Sequence, residues 1–84
     1  MNKLWTTRKA PVSIITDEAV QQYQRLCNHG QDSDEMARIK IERDYSLGRV
    51  VSFSKYGTDI LMIQYYDIFI MVHHTIVTGI FRQK

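Results

Sequence analysis

Lys40, Arg43, Arg49, Lys55, Tyr66, Thr78 and Arg82 are residues of the types that handle phosphate and RNA. Cations hold phosphate oxygens and stabilise a pentavalent phosphorus, aromatic rings stack on bases, and hydroxyls line such sites. A metal-independent ribonuclease could be assembled from them if Glu18, a tyrosine or a histidine moved the proton. The same residues read equally well as the solvated side of a strand-rich domain, because nothing in their spacing forces them together. His73 and His74 are adjacent, so in a strand they point to opposite faces and cannot ligate one metal ion. Together with His29 they read as polar turn or loop residues.

Other chemistries lack their signatures. Neither a G-x-G-x-x-G, a P-loop nor a zincin spacing occurs, and no carboxylate pair sits at helical or strand spacing toward an open surface. Cys27 is the only cysteine, which excludes an internal disulfide and any multi-cysteine zinc site. It falls on an apolar helical stripe and reads as a small core residue rather than a nucleophile. The expectation is therefore no metal, no cofactor and no complete catalytic set. A reducing compartment, the cytoplasm, is the expected setting.

The elements that must position these residues follow from the hydrophobic period. Thr16 reads as the N-cap of a first helix, with Asp17 and Glu18 at the positive end of its dipole. Ala19, Val20, Tyr23, Leu26 and Cys27 form one stripe on this helix, and Gly30 is its expected end. Asp32 or Ser33 caps a second helix running to Leu47 and Gly48, with Ala37, Ile41 and Tyr45 on one face and a basic flank of Lys40 and Arg43. From Arg49 the period becomes two, giving strands over 49–55, 60–66, 68–72 and 75–82. Short connections make these an antiparallel meander. Pro11 biases Ala10 to extended backbone, and residues 12–15 form a short strand or an anchored lead-in. The expected fold is α+β, two N-terminal helices packed on one face of a four-stranded antiparallel meander, with residues 1–11 a flexible basic arm and 12–84 a single domain.

Strict alternation sorts the sheet into two faces. Val51, Phe53, Leu61, Ile63, Tyr65, Val77 and Phe81 should face the helices. Ser52, Ser54, Tyr56, Met62, Gln64, Tyr66, Ile76, Thr78, Ile80 and Arg82 should face away, and the third strand is apolar on both sides. Because a far face holding Met62, Ile76 and Ile80 is too apolar to stand in water, these residues with Gln64 are the expected protein interface, for a homodimer or a host protein. Coverage by the N-terminal segment is the alternative.

Composition agrees with a folded domain: 44% of the residues are hydrophobic and 24% charged. The net charge is only +2, with the basic excess in the second half and a cluster of Lys3, Arg8 and Lys9 before the first acid, Asp17. No apolar run is long enough for a membrane span, so no membrane partner is expected.

Three segments carry a family likeness: ITDEAVQQYQRL at 15–26, ARIKIERDYSLG at 37–48 and YDIFIMVHHTIVTGIF at 66–81. Two helices followed by a meander with such a last strand resembles the small phage and mobile-element proteins of the barnase, EndoU, colicin and RelE-like ribonuclease superfamily. The resemblance implies a phage or prophage setting and, if activity is kept, cleavage of RNA. Thr78 and Arg82 match polar positions of the family's terminal strand. Glu18 stands where those relatives often carry a histidine, and their second helical arginine would fall near Gln24 or Arg25. These departures put activity in doubt and leave two readings: an RNA-binding ribonuclease with Arg43, Arg49, Lys55, Tyr66, Thr78 and Arg82 at the phosphates, or an accessory protein that binds a partner or itself and inhibits a host process.

Overall fold

The computed structural model describes residues 11–27, 31–54 and 60–82, with the backbone alone for 52–54. Lys55, Tyr56, His29, Gly30 and the basic cluster before Pro11 lie outside the described residues. In chain order the elements are β1 (Ile14–Ile15), α1 (Asp17–Leu26), α2 (Asp34–Leu47), β2 (Arg49–Ser54), β3 (Ile60–Tyr65), β4 (Ile68–His73) and β5 (Ile76–Arg82).

Both helices start where their caps predict. Thr16 Oγ1 accepts from the Ala19 amide at 3.1 Å. The same hydroxyl donates to the Val77 carbonyl at 3.1 Å, so one side chain starts α1 and ties it to the last strand. Ser33 Oγ accepts from the Met36 amide at 3.1 Å and opens α2. The stripe Ala19, Val20 and Tyr23 of α1 is buried against Ala37, Ile41 and Tyr45 of α2 and against the sheet. Leu26 and Cys27 pack at the margin of that core. Burial pushes the Cys27 thiol above its ordinary pKa, which suits a packing residue better than a nucleophile.

The architecture is α+β as expected, but the sheet has five strands and is mixed, in the order β1-β5-β4-β3-β2. The four-stranded antiparallel meander is corrected by β1, which pairs in parallel with β5 through Ile14 opposite Ile76 and Ile15 opposite Val77. Two residues offer no alternation to read, and their partner lies far along the chain. Ser13 secures this edge, its amide donating to the Thr75 carbonyl at 2.9 Å.

Two β-bulges correct the sorting of faces. In β2, Val50 pairs with Ile63 and Ser52 with Met62, leaving Val51 as the extra residue. In β5, Val77 pairs with Val72 and Gly79 with Met71, leaving Thr78 extra. A bulge reverses the parity of everything beyond it. Ile80, expected on the far face, is therefore buried in the core at 2% exposure, and Phe81, expected inside, is 41% exposed. Arg82 likewise falls in register with the buried Ile68, and its Nη1 donates to the Leu26 carbonyl at 2.9 Å at the end of α1.

The β4–β5 connection is a two-residue turn, His74 and Thr75, with φ of 53° and 66°. Positive φ at both positions is the backbone of a type I′ hairpin, which Asn and Gly adopt readily and a β-branched residue does not. Thr75→Gly is expected to raise stability by on the order of 1 kcal/mol, since the left-handed cost outweighs the exposed contact to the Ser13 hydroxyl. Thermal melts of the two proteins check it, and a lower melting temperature for Thr75→Gly counts against it.

Candidate interaction face

The helices cover one side of the sheet. On the other, the register builds three cross-strand rows. One runs Arg49, Gln64, Phe69, Phe81; the central one Ser52, Met62, Met71, Gly79; the third Ser54, Ile60, His73, Ile76 and, on β1, Ile14. Ile60, Met62, Phe69, Met71 and Ile76 are all partly exposed, and Ile14 and Phe81 are open to solvent. Among the described residues no element lies over the central row; the one charge within the rows is Arg49 at one corner, and at the β5 edge Phe81 shares a cleft with Gln22, Arg25 and Arg82. At the opposite end the His73 Nε2 is screened from solvent and finds no hydrogen-bond partner among the described residues.

Of the expected interface residues, Met62, Gln64 and Ile76 share this face, and Ile80 does not. Phe69, Met71, Phe81 and Ile14 belong to it as well. Alternation already marked the third strand as apolar on both sides, which was the available signal for Phe69 and Met71. Phe81 required knowledge of the bulge, and Gly79, a glycine inside the strand next to Thr78, was the available signal for one.

The expected phosphate contacts are scattered. Arg43 donates from Nε and Nη2 to Asp44 Oδ1 at 3.0 and 2.9 Å. Lys40 sits 3.0 Å from Asp32 Oδ2. Arg82 Nε donates to Asp67 Oδ2 at 2.8 Å, and this bond holds the Asp67 carboxyl below its ordinary range. Thr78 Oγ1 lies 3.4 Å from the Met71 carbonyl at the bulge. Lys55 lies outside the described residues. Each described cation of the set except Arg49 is thus neutralised by an acid of its own chain.

Arg49 and Tyr66 do meet. With Leu47, Gln64 and Tyr65 they line a cleft of about 320 Å³ beside the β3–β4 turn. Tyr66 holds φ at 57°, stands 79% exposed, and packs edge-on against Tyr65 with ring centroids 4.7 Å apart. Gln64 Nε2 donates to the Tyr66 carbonyl at 2.9 Å and braces the turn. Among the described residues Arg49 makes no ion pair.

Sequence reasoning missed Asp44. It is 2% exposed, with Oδ1 taken by Arg43 and Oδ2 accepting from Tyr23 Oη at 3.0 Å. Burial and the facing carboxylate raise the Tyr23 phenol far above its ordinary pKa. The signal was present: Ala37, Ile41, Asp44 and Tyr45 stand at i, i+4, i+7 and i+8, which places an acid on the buried stripe. Tyr23 and Asp44 clasp α1 to α2 rather than face a substrate.

Comparison of the chain with family models, with characterised proteins and with solved structures finds no match. Among the described residues no group of three or more His, Cys, Asp or Glu is placed to hold a metal ion, and no helix is long and apolar enough to cross a membrane.

Proposed function

We propose that this is a small phage or prophage accessory protein that works by docking its open sheet face on a protein surface, inhibiting a host process. The face carries the reading: a sheet side whose described residues are largely apolar, with Arg49 as the one charge within its rows, is what a protein interface requires and what water disfavours. The pairing of Lys40, Arg43 and Arg82 with their own acids supports it further, because a cation already satisfied by a carboxylate contributes little to holding RNA. The phage setting rests on the resemblance of the two helices and the meander.

Methionine oxidation tests the reading within one molecule. Met62 and Met71 lie on the face, whereas Met36 stands exposed on α2. In extract of a bacterial host expressing the protein, Met62 and Met71 are expected to resist oxidation that modifies Met36 and that modifies all three in the denatured chain. Equal oxidation of the three in extract would sink the proposal.

The Arg49 cleft favours a second reading, RNA binding with a ribonuclease-like fold. Here Tyr66 stacks on an unpaired base and Arg49 takes the adjacent phosphate. Binding of a labelled single-stranded RNA that weakens in Arg49→Ala and in Tyr66→Ala, and that falls steeply with salt, would favour it over the first.

A further inference from the structure

The geometry points to a second copy of this chain as the occupant of the open sheet face, an inference that rests on the docking reading above and names its partner. Two observations carry it.

Charge is the first. Charges stand only at the margins, Arg49 at one corner and Arg25 with the Asp67-paired Arg82 beside Phe81 at the other edge, so the middle of the described face offers an acidic, basic or nucleic-acid partner almost nothing to pair with, and its best complement is another apolar sheet. Such a sheet is present at equal concentration on every other molecule.

Size is the second. Four strands of about six residues span roughly 20 Å by 20 Å. Corrugated by side chains and counted on both copies, that footprint approaches the ~1,200 Å² at which specific interfaces begin.

Aligned packing of two sheets, with the two-fold axis running between β3 and β4, exchanges β3 with β4 and β2 with β5. Met62 then meets the second copy's Met71, and Arg49 lies over its Phe81. Met62 and Met71 of both copies, side chains that adapt to irregular gaps, gather about the axis.

Sedimentation of the full-length protein at tens of micromolar tests this, with Met71→Glu, Met62→Lys and their equimolar mixture. The wild type is expected to dimerise. Each variant should weaken self-association by on the order of 100-fold, because a charge enters an apolar contact twice. Mixing the two should restore a one-to-one dimer, since the carboxylate introduced at position 71 of one copy then faces the ammonium introduced at position 62 of the other. A merely misfolded variant would not be rescued, and unchanged circular dichroism of each confirms this. A wild-type dimer that survives both substitutions overturns the inference. So does a wild-type monomer. If Trp5 fluorescence of that monomer shifts to the red in Met71→Glu, the chain's own N-terminus is the occupant. If Met62 and Met71 stay protected in extract but not in the pure monomer, the partner is a different protein, and the docking reading stands without the dimer.

Discussion

Tyr23→Phe is expected to lower the unfolding free energy by about 2–3 kcal/mol, the cost of removing a hydrogen bond to a buried charged group. For a chain of this length the midpoint of thermal unfolding should fall by roughly 10–15 °C. The loss comes from what remains. Asp44 Oδ2, nearly inaccessible to water, is left without its donor, while Oδ1 still accepts from Arg43. Removing both partners should therefore cost less than the separate losses imply, so that Tyr23→Phe and Asp44→Leu are coupled in a double-mutant cycle. A cycle with no coupling energy would show that the contact does not hold the helices together. The alkaline limb gives a second readout. The phenol pKa is raised in the folded state, so the stability it contributes is complete below the ordinary tyrosine value of ~10 and declines as pH rises above it, by about 1.4 kcal/mol per unit. The gap between wild type and Tyr23→Phe should narrow above that pH.

Gly48→Ala is the second large effect, and it comes from crowding rather than backbone freedom. Gly48 has an ordinary φ of −74° at the end of α2. A Cβ there would lie 2.6 Å from Ile63 Cγ2, 2.8 Å from the Gln64 carbonyl oxygen and 2.9 Å from the Asp44 carbonyl oxygen. Two of these are backbone atoms, so either the last turn of α2 or the β2–β3 pair must move. The expected cost is about 1–3 kcal/mol, a large share of the stability of a domain this size. Gly79→Ala is the internal control. Its Cβ would meet nothing nearer than Phe81 Cζ at 3.4 Å, and its melting temperature should stay close to that of the wild type. Equal losses for the two glycines would remove the crowding argument.

Local chemistry made much of this molecule legible. Thr16 and Ser33 announce helix starts because a hydroxyl before an acidic first turn has one good use. Ala19, Val20 and Tyr23 announce a buried face by their spacing. The antiparallel meander follows from alternation with turns too short to cross over. What could not be read depends on a partner distant in the chain. A short strand over residues 12–15 was one of two readings, but its parallel pairing with β5 is stated by nothing in Ile14 and Ile15. The bulges at Val51 and Thr78 are set by the fit of one strand on its neighbour, and the second carried Ile80 and Arg82 off the face to which alternation assigned them. Arg43 and Arg82 read as available cations until folding supplied Asp44, adjacent but turned inward, and Asp67 across a hairpin.

The parallel pairing of β1 with β5 also governs when the domain can come into being. During synthesis β1 and α1 emerge first, but Ser13 and Thr16 bond to Thr75 and Val77, 62 and 61 residues further on. Until those residues leave the ribosome the first helix has no sheet to lie on, and only α2 can cover part of its apolar stripe. Folding must then close a loop set by a separation of 61 residues, a slow step compared with local pairing. Loss of β5 would not yield a smaller version of this fold but a chain with nowhere to dock β1 and the start of α1.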